Sequence, residues 1–439
     1  NHISLASMGA DIADLNNDGN LDIFVTDMLP DDDYRLKTTA SFDGYEIDQL
    51  RVQRDFYHQD SRNMLHLNNG PGPDGQGTFS EIGRLAGVHA TDWSWGALLF
   101  DMDLDGKKDI FVANGILKDL TDQDFVSFLA DNPDIQLMVE GLKKFDYKEY
   151  VAKMSSSPLA NYAFQNSGDG LHFTNRAAAW GLAKPGFSNG SAYGDLDNDG
   201  DLDLIVNNND AVASVYRNQS VEKKGVSFLR VKLAGTPQNR SGIGTKVYVH
   251  QKGETQYLQQ MPNRGFQSSV DLTLVFGLGA NPVIDSLTVV WPGLRNAPDR
   301  RQVIRNPKAN STLTLDVRNA NQPFTTPSQP SGRTLFTDAT AASGMAFTHI
   351  ENDFVDYNRD GLLKQMLSRE GPALAVGDIN GDGLDDGFFG GAVQQPRALF
   401  IQQKNGTFVA SRQPFLNDAL YTEDVAATFF DADNDKDLD

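Results

Sequence analysis

Cysteine is absent from this 439-residue chain, which excludes a disulfide framework, a thiolate metal site and a cysteine nucleophile. Histidine is sparse. His2, His58, His66, His89, His172, His250 and His349 include no pair at a metal-ligand spacing such as H-E-x-x-H, so zinc catalysis has no support. No apolar run approaches the roughly 18 residues of a membrane-spanning helix, and no signal peptide is visible. Basic residues are outnumbered, 38 Lys and Arg against 59 Asp and Glu, giving a formal net charge of −21 that argues against nucleic acid as a partner.

The acid that is present is concentrated. Asp195-Leu196-Asp197-Asn198-Asp199-Gly200-Asp201-Leu202-Asp203 places oxygen side chains at the first, third, fifth and ninth positions, with glycine at the sixth, where the backbone must turn sharply. One short loop built this way wraps a hard cation such as calcium. The pattern occurs five times: Asp14, Asn16, Asp18 and Asp22; Asp101, Asp103, Asp105 and Asp109; Asp195, Asp197, Asp199 and Asp203; Asp378, Asn380, Asp382 and Asp386; Asp431, Asp433, Asp435 and Asp439. The seventh-position residues Asn20, Lys107, Asp201, Leu384 and Asp437 complete the expected ligand set, since that position supplies a backbone carbonyl in calcium loops. The last copy departs most, with Lys436 in place of glycine.

These are not EF-hands, which need a glutamate at the twelfth position and a following helix. Here the twelfth residues are Val25, Val112, Val206 and Phe389, and the first three loops run into Ile23-Phe24-Val25, Ile110-Phe111-Val112 and Leu204-Ile205-Val206, which read as strands. Plain Asp-Gly hairpin turns are the simpler reading, but a hairpin needs no carboxylates at fixed alternate positions. About five structural Ca2+ ions are therefore expected. The loops hold 21 of the 59 acidic residues, so five divalent ions would bring the net charge to about −11. Multiple exposed calcium loops are most useful where calcium is millimolar, which points to an extracellular or cell-surface setting.

The length predicts two or three domains. Counted from the first ligand, the loops lie 87, 94, 183 and 53 residues apart, the last interval resembling a bare repeat and the others the same repeat with insertions. Text between loops recurs as strand, Gly-rich turn, strand: Asn63 to Gly70 then Thr78-Phe79; Asn161 to Asn166 then His172-Phe173-Thr174; Ala398 to Gln402 then Gly406-Thr407-Phe408. A repeat near fifty residues with about four short strands predicts β-propeller blades. One insertion, about 29–60, is polar. Another, about 116–158, is helical in character: Thr121 and Asp124 resemble a capping box, and Ile135, Met138, Val139 and Leu142 keep helical spacing. Residues 221–317 alternate as a small antiparallel β domain, residues 318–334 with Pro323, Pro327, Pro330 and Gly332 read as a linker, and the repeat resumes at Leu335.

The loops resemble the FG-GAP or VCBS propeller repeat. Residues 221–317 resemble an ASPIC/UnbV domain through Asn239-Arg240-Ser241-Gly242-Ile243-Gly244, Arg264-Gly265-Phe266-Gln267-Ser268, Phe276-Gly277-Leu278-Gly279 and Val290-Trp291-Pro292-Gly293. The whole is similar to the cartilage-acidic-protein-like secreted proteins of Bacteroidota. That resemblance implies an all-β, extracytoplasmic, calcium-loaded chain, with residues 1–220 closing one propeller and 335–439 opening a second. The missing blades are expected beyond both ends, in a longer protein. It implies no reaction.

Motifs that suggest catalysis have simpler readings. Gly186-Phe187-Ser188-Asn189-Gly190 matches G-x-S-x-G, but it runs into a strand and a calcium loop where Ser7-Met8-Gly9 and Ser94-Trp95-Gly96 stand in the other repeats. Gly70-Pro71-Gly72-Pro73-Asp74-Gly75 matches G-x-G-x-x-G without a helix to receive a phosphate, and reads as a hairpin loop. Trp93 and Trp95 read as core before they read as a sugar platform. The expected function is binding, to a glycan or an outer-membrane or other surface protein, accessory to an uptake complex by the resemblance. A polysaccharide-active enzyme and a structural adhesion protein stay open beside it.

Overall fold

A computed structural model of the chain describes residues 2–40, 43–72, 75–133, 135, 137, 140, 147–293, 297–324, 336–417, 421–435 and 438. The protein is mostly β with few helices and forms two compact units, residues 1–329 and 330–439.

One sheet plan recurs. In the first meander Ala10–Ala13, Asp22–Val25, Met64–Pro71 and Gly77–Glu81 pair in that order, all antiparallel. The second repeats it with Ser94–Phe100, Asp109–Asn114, Tyr162–Asn166 and Phe173–Asn175. The third, Ser188–Gly194, Asp203–Asn208 and Ser214–Tyr216, has three strands. A fourth lies in the second unit: Leu374–Gly377, Asp386–Phe389, Ala398–Gln402 and Phe408–Ser411. In each, an acidic loop joins the first strand to the second, so the predicted strand, loop, strand unit is present four times. No closed propeller is seen among the described residues.

Packing explains the unbroken apolar runs after the loops. Successive side chains of a strand point to opposite faces. Ile110 and Val112 enter one core with Leu15, Phe24 and Leu65 of the first meander, while Phe111 and Ala113 enter another with Leu204 and Val206 of the third. A strand buried on both faces has no polar side to alternate with.

Residues 227–323 form the small β domain. One sheet orders Leu274–Gly279, Ser227–Ala234 and Ser311–Asp316; the other orders Glu254–Gln259, Lys246–Gln251, Ser286–Trp291, Arg300–Arg305 and Gln322–Pro323. Leu229, Val231, Phe276, Val247, Val289 and Trp291 are buried between them. The domain is not wholly antiparallel as expected: Ser227–Ala234 and Ser311–Asp316 run parallel, because the chain returns to the first strand only after building the second sheet. Gln322–Pro323, assigned to the linker by sequence, pairs with Arg300–Arg301. Pro327, Pro330, Gly332 and Leu335 lie outside the described residues.

The insertions also differ in detail. The first, read as polar, carries helices Asp33–Thr39 and Tyr45–Gln53, and His58–Asp60 pairs in parallel with His2–Ser4. In the second, helix Gln123–Asp131 is capped by Asp122, whose carboxylate accepts the Phe125 N–H at 3.0 Å. Thr121 instead donates its hydroxyl to Asp119 at 2.9 Å, so the expected Thr121–Asp124 capping box does not form and the helix has a simple N-cap one residue later. Met138, Val139 and Leu142 lie outside the described residues.

Candidate metal centres

The loops fold around their own carboxylates. At the first position Asp14 accepts the N–H groups of Asp18 and Gly19, both at 3.0 Å. Asp101 accepts those of Asp105 and Gly106 at 3.1 and 2.8 Å, and Asp378 those of Asp382 and Gly383 at 3.1 and 2.8 Å. In the last loop Asp431 accepts from Asp435 at 3.1 Å. The expected sharp turn is present: Gly19, Gly106 and Gly200 have φ of 89°, 94° and 109°, a region that favours glycine.

The ninth-position aspartates have a second task that the motif does not reveal. Among the described residues four of them tie the loop to the third strand or, for Asp203, to Asn218 two residues beyond it. Asp22 accepts from the N–H of Leu15 at 2.8 Å and of Asn68 at 2.9 Å. Asp109 does the same with Met102 and Asn166, Asp203 with Leu196 and Asn218, and Asp386 with Ile379 and Gln402. Each carboxylate oxygen has two lone-pair sites, so these bonds do not prevent cation ligation. The asparagines extend the tie between meanders. Asn166 donates to the carbonyls of Lys108 and Leu15, and Asn218 to those of Leu202 and Met102, joining each loop to the one before it.

The second loop is the most enclosed. Asp101, Asp103 and Asp109 are all buried and bring ligand atoms within 4.8 Å of one another. Burial, with Asp105 and Asp103 as neighbours, pushes Asp101 well above the ordinary carboxylate range; burial, with Asp101 and Asp103 nearby, does the same to Asp109. Asp103 Oδ1 is buried with no hydrogen-bond donor. An oxygen donor set with an orphaned carboxylate oxygen suits a hard divalent cation. Asp195, Asp197 and Asp199 also bring ligand atoms within 4.8 Å of one another, as do the more exposed Asp431, Asp433 and Asp435. Asp195 Oδ1 is likewise buried and undonated, because Arg230 takes Oδ2 at 2.5 Å where the other loops use backbone N–H groups. Asp14, Asn16, Asp18, Asn20 and Asp22 share one loop, as do Asp378, Asn380, Asp382, Leu384 and Asp386. Asp437, Asp439 and Lys436 lie outside the described residues.

Several charged neighbours were not legible in the motif. Lys108, the eighth residue of the second loop, is 3% exposed and donates to Asn17 of the first loop at 2.9 Å. Burial lowers its pKa while Asp14 and Asp101 counter that effect. Lys224 bonds Asp103 at 2.8 Å and Lys107 pairs with Glu254 at 3.3 Å.

The small β domain docks on this machinery. Gly277 lies so close to the second loop that a Cβ there would sit 2.2 Å from Asp101 Oδ2 and 2.5 Å from the Leu104 backbone. The Arg264-Gly265-Phe266 turn reaches the first strands: Gly265 donates to the Ala10 carbonyl at 3.1 Å, and the Phe266 ring packs tilted against Trp95 with centroids 5.0 Å apart.

The sequence motifs that suggested catalysis have structural contacts. Ser188 donates to Asn208 at 2.9 Å at the start of its strand, with no helix following. The Gly70–Gly75 stretch joins two hairpin strands, with Pro73 and Asp74 outside the described residues. Trp93 is buried, and Trp95 donates to the Gly115 carbonyl at 2.8 Å. A cavity of about 420 Å³ is lined by Trp180, Tyr216 and Phe100, but the carboxylate at it, Asp103, belongs to the second loop. No helix among the described residues is long and apolar enough to cross a membrane.

No curated protein matches the chain. Residues 235–322 match the family described as ASPIC and UnbV, a stretch that contains all four glycine-rich phrases quoted above, and the small β domain of this chain is accordingly an ASPIC and UnbV domain.

Proposed function

We propose that the meanders are blades of FG-GAP or VCBS type, held by calcium, in an extracytoplasmic protein that acts by binding. The observation that carries the calcium reading is the buried, undonated Asp103 Oδ1 beside Asp101 and Asp109. Asp101, Asp103, Asp105 and Asp109 would hold the ion, which would supply positive charge where the fold has gathered carboxylates. The chain's own residues shape the site: backbone N–H groups orient the first and ninth aspartates, and Lys108 offsets charge from behind.

The two insertions supply the binding surface in this reading. Arg35 on the first insertion bonds Asp92 and, at 3.0 Å, Asp119 at the base of the second, locking them together. Tyr34, Phe56 and Tyr57 of the first insertion are more than half exposed. Exposed aromatics on a fixed scaffold suit stacking on a glycan or packing against an envelope protein. The test is isolation of the full-length protein from its own cells in millimolar calcium and, in parallel, in chelator. A stoichiometric surface partner or glycan retained only with calcium, and lost on Tyr34→Ala with Tyr57→Ala, is the expected result. A protein that comes alone in both conditions contradicts the reading.

A further inference from the structure

The third loop carries more acid than one ion balances. Asp195, Asp197, Asp199, Asp201 and Asp203 are joined by Glu222, which stands outside the motif on the short helix Ser220–Lys224. Asp199, Asp201 and Glu222 form a cluster of their own, with ligand atoms within 4.8 Å of one another, next to the Asp195, Asp197 and Asp199 group.

Asp201 is the unusual member. Its side chain is fully buried, and Oδ2 accepts the Val221 N–H at 3.0 Å. Oδ1 is buried and receives no donor. Arg217 does not supply one: it donates to Asp197 at 2.6 Å, to Asp199 at 3.1 Å and to Glu222, while remaining half exposed above them. The other oxygen of Asp199 is taken by the Asp201 N–H at 3.2 Å. Leaving an ionised carboxylate oxygen buried without a partner is costly, and two carboxylates side by side make it more so. Six carboxylates face two guanidinium groups here, Arg217 and Arg230. A divalent ion in the loop leaves two negative charges uncompensated, and a second divalent ion brings the group to neutrality.

We propose that Asp199, Asp201 and Glu222 form a second cation site, sharing Asp199 with the loop ion and taking a hard divalent cation of the calcium class, since its donors are all carboxylate oxygens. The proposal rests on the calcium reading of the loops. It gives the seventh-position aspartate a role that Asn20, Lys107 and Leu384 cannot play at the equivalent positions, because none has a carboxylate.

Crystals of the chain grown with terbium, a calcium mimic with a strong anomalous signal, test it. The expected map has one peak inside the third loop and a second bounded by Asp199, Asp201 and Glu222; in Glu222→Gln the second disappears and the first stays. A terbium luminescence titration in solution should show one fewer bound ion for Glu222→Gln than for the unmodified chain. Peaks in the loops with none beside Asp201 overturn this site and leave the loop reading standing. No peak in any loop overturns both.

Discussion

Arg264 and Asp11, 253 residues apart, form a buried ion pair at 2.7 Å, with both side chains under a tenth exposed. Asp11 also accepts the Leu99 N–H at 2.7 Å, so one carboxylate joins the first meander, the second meander and the ASPIC and UnbV domain. Burial raises the Asp11 pKa and the Arg264 guanidinium opposes that rise. Removing one partner of such a pair leaves a buried charge unmatched, at about 3–5 kcal/mol. Arg264→Met is therefore expected to lower stability by that amount in denaturant unfolding, and Arg264→Met with Asp11→Leu to recover much of it.

Gly277 is the second docking point. A methyl group there meets the Asp101 carboxylate and the Leu104 backbone at less than 3 Å. Gly277→Ala should cost about 3 kcal/mol or more, since neither neighbour can move without opening the second loop. Calcium binding at that loop should weaken with it, measured by calorimetry; Gly253→Ala, in an open hairpin turn, should leave calcium affinity unchanged.

The ninth-position aspartates should separate from the other ligands when metal is removed. Asp109→Asn turns one acceptor into a donor facing the N–H of Met102 or Asn166, and should destabilise the chain by about 1–3 kcal/mol even in chelator. Asp105 is exposed, and its carboxylate accepts the Lys107 N–H at 2.8 Å within its own loop. Asp105→Asn should lower calcium affinity while changing stability in chelator by less than Asp109→Asn does. Thermal unfolding of both variants in both buffers checks the distinction.

The pH dependence should change sign with calcium. Burial pushes Asp22 up to about 6 from 3.8, and raises Asp101, Asp109 and Asp201 as well. In chelator the folded chain then binds more protons than the unfolded chain between about pH 7 and pH 4, so stability rises as pH falls through that window. His89, held below its usual range by burial, works the other way, while Asp11, Asp14, Asp105 and Asp203 add to the rise; the carboxylates held low, such as Asp424 beside Arg397, act mainly at the acid end of the window. With calcium bound, protons compete with the ion for the same carboxylates, and acidification should destabilise. Midpoints measured from pH 7.5 to 5 with and without calcium should slope in opposite directions.

What could be read from the sequence was local. The loops declare themselves because oxygen side chains must recur at fixed positions, and Ile110-Phe111-Val112 reads as a strand because it is buried on both faces. The partners of those same residues are distant in the chain: nothing near Asp109 points to Asn166, nothing near Asp201 points to Glu222, and nothing in the first loop points to Lys108 of the second. The recurring asparagines at 68, 166 and 218 are visible signals whose meaning needs the fold. Helix Tyr45–Gln53 buries none of its residues, so it carries no apolar stripe to detect. The cap at Asp122 was a choice between adjacent oxygen side chains, decided by Asp119 holding Thr121.

Thermal unfolding of the chain in millimolar calcium and in chelator tests most directly whether the loops hold calcium as part of the fold. Each site filled to a hundred times its dissociation constant adds about 2.7 kcal/mol, so several sites together should raise the midpoint by about 10 °C or more. A midpoint that is the same in both buffers contradicts the account.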